Sequence, residues 1–562
     1  MKHLLIILCA SVLYACNSSS NQKTKSERSG GTFSMALEQF PSHFESAQVS
    51  DIYTSTVLSQ VKEGLVSIDP KSLKIEPQLA ATYQVSSDGL VYTFQLREDV
   101  LFHSSKFLTN EEERLMTAQD VVFSIEQSCR KTPEGASYAF QLLYKHALVG
   151  ADAFHQGKSS KISGLQVMDD HTLSIRLNHK DPNFLYKLAN IAAVINAKKL
   201  WNTPDYDKIG TGPFQFSEIL EDEIRLIRNE DYYQADEKGC QLPYLDALHF
   251  YHINSKIEQL NKFENEELDI IVGLPSDAIT KMLEGRINDF NGKDPLLVLK
   301  DNPLLFTNYY LFNMKDSRFQ DVWVRQAFNY AIDKEKIGAK ILKYQYNDLG
   351  YYGIVPPVKS ILKGYDFNSI KKKGYNFNVK KAKELLSKAG YPNGKGFGTL
   401  NLRFSISDIN SKVADEIATQ LSNHLNINVN IDGSSFDQLE KDIVSNKVQF
   451  FRNAWSADYP SPETFLANFY SKNAILDEET GSIINASRYS NPKFDALFEA
   501  AVRSSNKLTS YNYFVQAEIE LLENPPFIPL WYSADFQVYY GKIKQLEFNA
   551  LRMFSFKNVY KK

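Results

Sequence analysis

A single apolar run, Leu4–Leu13, opens the chain, and no later stretch comes near the ~18 consecutive apolar residues that a membrane-spanning helix needs. The run itself is too short to cross a bilayer. Preceded by Lys2 and closed by Leu13-Tyr-Ala-Cys16, it has the form of an export signal ending in what looks like a bacterial lipobox, with small Ala15 ahead of the thiol. The expectation is that residues 1–15 are removed and that Cys16 takes a lipid as the mature amino terminus. Residues 16–31, Ser-rich and without a large apolar side chain, then read as a flexible tether. The remainder of the chain must fold in water, beside a membrane but not inside one.

At 562 residues the chain exceeds what one hydrophobic core organises, so several domains are expected. The 63 basic and 67 acidic side chains leave a net charge of -4, with none of the basic excess that phosphate backbones require, so nucleic acid is not an expected partner. Aromatic residues reach 13%, which suits either a Phe-rich core or a wide, partly wet binding surface. Once the export segment is set aside, Cys129 and Cys240 remain, with no spacing that decides their state.

Along the chain, turns alternate with strand and helix patterns. The period-two stretch after Asp88-Gly predicts a hairpin strand ending at Arg97, and Asp169-Asp170 introduces another to Leu177. Thr117 is placed to cap a helix carrying Val121, Val122 and Ile125. Gly210-Thr-Gly-Pro-Phe214 has too few spaced glycines for a phosphate loop, and Pro213 lacks an amide donor, so it reads as a turn. Phe306–Asn313 is strand-like, and Val324, Ala327, Phe328 and Ala331 share a helical face. Lysines 380, 381, 383 and 388 sit opposite Leu385 and Leu386, as on a solvated amphipathic helix.

Between Val448 and Phe465 a cation, a large aromatic and an acid crowd together: Arg452-Asn-Ala-Trp455-Ser-Ala-Asp458-Tyr-Pro-Ser461-Pro462. A strand at Val448–Phe451 would leave Arg452, Trp455 and Asp458 on the loop at a sheet end, where open α/β sheets bind ligands, with Ser461 and Pro462 starting a helix. The segment resembles the Arg-x-x-Trp-x-Ala-Asp-Tyr run of peptide-binding members of the family 5 extracellular solute-binding proteins of ABC importers. The resemblance extends to Glu76-Pro-Gln-Leu-Ala80, Thr117-Ala-Gln-Asp-Val121, Gly210-Thr-Gly-Pro-Phe214 and Val324-Arg-Gln-Ala327, in the family's order, from about residue 63 to 535.

That resemblance implies a two-lobed α/β clamshell of the periplasmic binding protein kind, type II-like, with an additional α/β subdomain. Lobe I would take residues 32–66, 200–305 and 531–562, the extra subdomain 67–199 and lobe II 306–530, with hinges near 304–309 and 527–533. It implies Asp458 against a peptide ammonium, Arg452 against the carboxylate of a short peptide, and Trp455 lining a side-chain pocket, with Tyr138 and Tyr532 as further ligand contacts. The partners implied are a short peptide and a permease with its ATPases; the protein would be a monomer without a cofactor, lipid-anchored in the periplasm or cell envelope. Nickel-chelate, haem or sugar as ligand stays open, as does a sensor or adhesin role.

No enzyme is expected. Metalloprotease, nucleophile-elbow, Cys-x-x-Cys and Walker patterns are absent, and His249 and His252 on a strand would point to opposite faces.

Overall fold

The alternating segments become strands because one face of each packs inward: in Val91–Leu96 the residues Tyr92, Phe94 and Leu96 are buried while their neighbours are not. The computed structural model describes residues 27–132, 135–274, 276–343, 346–474 and 484–562. The expected signal segment, Cys16 and the tether as far as residue 26 lie outside the described residues.

Three larger sheets carry the architecture. In the first, Thr32–Leu37, Ala247–His252, Glu223–Arg228 and Phe214–Ile219 lie side by side, the first pair parallel and the rest antiparallel. The second is antiparallel, ordered Ala80–Val85, Val91–Leu96, Thr172–Arg176, Leu165–Asp169. The third has seven strands: Ile270–Val272, Phe527–Tyr540, Leu297–Phe312, Phe450–Ser456, Thr399–Ser405 and Asn428–Ser434 in order, with Asp348–Leu349 added beside Phe527–Tyr540. Helices Asp408–Leu425 and Phe436–Val444 make the crossovers between its parallel strands.

Two strands join the lobes. Leu297–Phe312 starts in the core of the first sheet, at Leu297, and ends in two others, where Leu305, Tyr309 and Leu311 belong to one and Tyr310 and Phe312 to the next. Phe527–Tyr540 runs back, from Phe527 to Val538 and Tyr540 in the first core. They pair antiparallel with register breaks between Pro303 and Thr307 and between Asn308 and Tyr309. Such breaks bend a strand locally, and Pro303 has no N–H to offer the ladder. The result is the two-lobed α/β clamshell, with the second sheet and helix Ala118–Cys129 forming a subdomain around a core of its own.

Several local expectations are met in detail. Thr117 and Asp120 form a capping box at the start of Ala118–Cys129. Asp321 caps Val322–Ala331, and buried Arg325 donates to the carbonyls of Pro525 at 2.8 Å and Gln320 at 3.0 Å, as befits a scaffold residue. A Cβ on Gly212 would lie 2.6 Å from the Gln60 carbonyl oxygen, so the Gly-Thr-Gly-Pro turn exists to let two backbones touch. Cys129 and Cys240 are both free thiols. His249 pairs with Glu223 at 3.0 Å while His252 packs beside Phe40, on the other face.

Candidate ligand-binding cleft

Between the lobes lies a cavity of about 2860 Å³, roughly three times the upper range of small-molecule sites, so its occupant is extended or accompanied by much water. Residues 452–458 all line it. The strand they belong to differs from the sequence expectation: it runs Phe450–Ser456, so Arg452 and Trp455 sit on the strand and only Asp458 on the loop beyond it. The reason is the long partner strand, since Phe306 to Phe312 pair with Ser456 back to Phe450. On its other side only Phe450 and Phe451 pair, with Leu402 and Arg403. From Arg452 onward the strand has no partner on that side among the described residues and presents an edge to the cavity that another extended chain can pair with. The helix after the loop is Glu463–Leu466; Pro462 takes the cap position instead of the first turn, and the Ser461 hydroxyl accepts from Glu463 N at 3.3 Å.

Asp458 is the chemical centre. Its carboxylate accepts from the Thr464 hydroxyl at 2.7 Å, the Tyr138 hydroxyl at 3.1 Å and the Asn190 amide at 3.3 Å. All three donors are neutral, and among the described residues no cation pairs with it. Burial accordingly raises its pKa above the usual carboxylate value, partly offset by these donors. Trp455 is fixed beside it, its indole N–H donating to the same Thr464 hydroxyl at 3.1 Å. Tyr138, 5% exposed, shows its hydroxyl to the site from the subdomain and lines the cavity.

Arg452 is the complementary group. Its Nη2 donates to Asn308 Oδ1 at 2.7 Å, its buried Nε has no partner, and no carboxylate pairs with it among the described residues. Burial lowers its pKa from the ordinary value. Asp458 and Arg452, six residues apart in sequence on the same strand and following loop, thus both lack an ionic partner among the described residues.

Tyr532 is not part of this wall. It is fully buried, its hydroxyl donates to the Gly353 carbonyl at 2.8 Å and accepts from Tyr352 N at 3.0 Å, so the side chain is held in the core and not on the cavity surface. Asn190, Asn308 and Thr464, by contrast, hold the two charged groups and carry no sequence pattern that marks them.

The model of the bacterial extracellular solute-binding proteins, family 5 middle, matches residues 74–477. The chain is 27% identical to heme-binding protein A of Haemophilus influenzae over 95% of this chain and 94% of that one. It is 26% identical to the oligopeptide-binding protein OppA of Bacillus subtilis over 99% and 98%. Among solved structures, the periplasmic binding protein DppA of Helicobacter pylori in complex with the peptide STSA superposes with a TM-score of 0.81, at 26% identity, covering 95% of this chain and 98% of that one.

Proposed function

Because the chain belongs to the family 5 bacterial extracellular solute-binding proteins, we propose that it captures short peptides with a free amino terminus in the interlobe cleft and delivers them to the membrane permease of an ABC importer. The observation that carries the ligand class is Asp458: a buried carboxylate with three neutral donors and, among the described residues, no cation is completed by an ammonium. Arg452, with donors to spare, takes the terminal carboxylate of peptides of the matching length, since a guanidinium fork fits a carboxylate. The unpaired edge at 452–456 adds the peptide main chain as a strand, reading backbone while the cavity's volume tolerates varied side chains.

Haem, the named ligand of one relative, fits less well. Its propionates bring negative charge and nothing to pair with Asp458. Closure accords with the same reading: lobe I (32–66, 200–305, 531–562) carries the subdomain (67–199) toward lobe II (306–530), bending at the two long strands. Cys16 bears the lipid that keeps the protein at the periplasmic face of its membrane, and the protein acts as a monomer.

The test is a thermal-shift panel. Free tri- to pentapeptides should raise the melting temperature, their N-acetylated forms should not, and added haem should give no bound-haem absorbance. Equal stabilisation by acetylated peptides would overturn the ammonium assignment, and haem binding without peptide binding would overturn the ligand class. A Cys16→Ser form should leave the membrane fraction.

A further inference from the structure

The subdomain is joined covalently to lobe I but touches the Asp458 loop through a strip of its own, residues 181–190. Asn190 reaches Asp458, Asn183 Nδ2 donates to Glu463 Oε2 at 2.6 Å and to Ser461 Oγ at 3.3 Å, and Tyr186 stacks on Tyr459 with ring centroids 6.2 Å apart. In the middle sits a buried ion triad: Lys187 Nζ lies 2.7 Å from Asp181 Oδ2 and 2.9 Å from Glu463 Oε1. Asp181 is 1%, Glu463 4% and Lys187 8% exposed. Phe184 and Leu188 of this strip belong to the subdomain core, whereas Phe465 and Leu466 beside Glu463 belong to a lobe II core. The triad therefore joins the subdomain to lobe II, beside the apolar contact that Tyr186 and Ala189 of the same strip make with the lobe II core.

Its members are unequal. Asp181 and Lys187 are six residues apart on the same strip and remain together wherever the subdomain goes. Glu463 is 276 residues from Lys187 and belongs to the other lobe, so a relative movement of subdomain and lobe II would part these two while leaving Asp181 with the lysine. Glu463 is also the neighbour of Thr464, whose hydroxyl holds the Asp458 carboxylate and the Trp455 indole together. A buried carboxylate without a partner is costly, so Glu463 disfavours any arrangement in which it is buried away from Lys187.

We propose that Lys187 is a positioning residue for ligand capture: by pairing with Glu463 across the closed cleft it docks the Asp458 loop against Tyr138 and Asn190, so that the ammonium seat is complete only in the closed form. Asp181 parks the lysine when the cleft is open. The ligand touches none of the three. This role rests on the peptide reading of the cleft and adds to it the residues that set how long a captured peptide stays.

Dissociation of tetra-alanine, followed by Trp fluorescence in stopped flow, tests it. Lys187→Met and Glu463→Gln should each speed dissociation by roughly thirtyfold or more, as truncating a hydrogen-bonded charge pair does at other closed interfaces. The double variant should be no faster than the worse single one, Lys187→Arg should restore most of the residence time, and Asp181→Asn should change it least. Unchanged dissociation rates in folded variants, with only a lower melting temperature, would overturn the proposal and leave the triad as packing. If wild-type protein binds no peptide, the peptide reading has failed, and the closed fraction of ligand-free protein, read by single-molecule energy transfer between labels on the two lobes, decides instead. Lys187→Met must lower that fraction, and an unchanged fraction overturns the proposal.

Discussion

Replacing Asp458 by Asn keeps the shape of the side chain and removes a buried charge that no cation pairs with among the described residues. In the cleft the carboxylate accepts from Thr464, Tyr138 and Asn190. An amide in its place would turn a donor toward groups that are already donating. With a peptide bound, the ammonium and the carboxylate form a pair shielded by the closed lobes, and removing one member of such a pair costs about 3–5 kcal/mol. At about 1.4 kcal/mol per decade this is roughly two to three and a half decades in Kd. Titration calorimetry of wild-type and Asp458→Asn protein with tetra-alanine and its N-acetyl form gives a complete cycle. Either change alone should cost that much, and the second should add less than about one decade, because the partner is already gone.

The pH dependence carries a sign. Burial raises the Asp458 pKa in the free protein, so as pH falls through that raised value the peptide must displace a proton. Affinity should then drop by about tenfold per pH unit, and it should not do so in Asp458→Asn. Additive losses in the cycle, or a wild-type protein that binds the acetylated peptide equally, would refute the charge argument.

Other perturbations separate binding from scaffold. Arg452→Gln should weaken the peptide length whose carboxylate reaches it by about 1.5–3 kcal/mol, the worth of hydrogen bonds to a charged group, while longer and shorter peptides lose little in the same titration. Glu518, which accepts from Ile354 N, Val355 N and the Tyr365 hydroxyl, has its pKa pushed up by burial to about 8 from an ordinary 4.5. Its contribution to stability is therefore complete below about pH 4.5 and is lost as pH rises through 8; the urea midpoint should decline across that window, and less so in Glu518→Gln. Gly212→Ala, whose Cβ would meet the Gln60 carbonyl at 2.6 Å, should cost about 1–3 kcal/mol in unfolding experiments and leave peptide affinity unchanged.

Much of this molecule is legible in its sequence because local rules and tertiary packing agree. Thr117 and Asp120 announce a helix and cap it, and the alternation from Val91 to Leu96 announces a strand with one buried face. Arg452, Trp455, Asp458 and Tyr138 do stand on the cavity wall. The strand limits are not legible, because Arg452 to Ser456 is held by a neighbour more than a hundred residues earlier and not by its own composition. Tyr532 lies in the core instead of the cleft for a related reason: its strand is inside a sheet covered on both faces, where period two does not distinguish cleft from core. Asn190 and Thr464 are ordinary polar residues until the fold brings them to one carboxylate, and Asn190 arrives from 268 positions away. Lys187 and Glu463 are invisible likewise, since neither half of a long-range pair carries a mark of the other.

The position of Phe527–Tyr540 within its sheet has a consequence in time. This strand, almost the last to be made, is not at an edge but between Ile270–Val272 and Leu297–Phe312. A chain appearing from its amino terminus can complete the subdomain early, since that core draws chiefly on residues 65–244. It cannot close the central sheet, nor fix the two strands that join the lobes, until the final stretch has arrived. Pairings at such separation form slowly. A chain made only through the subdomain thus carries Tyr138 and Asn190 without the acid they serve, and the two strands that join the lobes come together only at the end of synthesis.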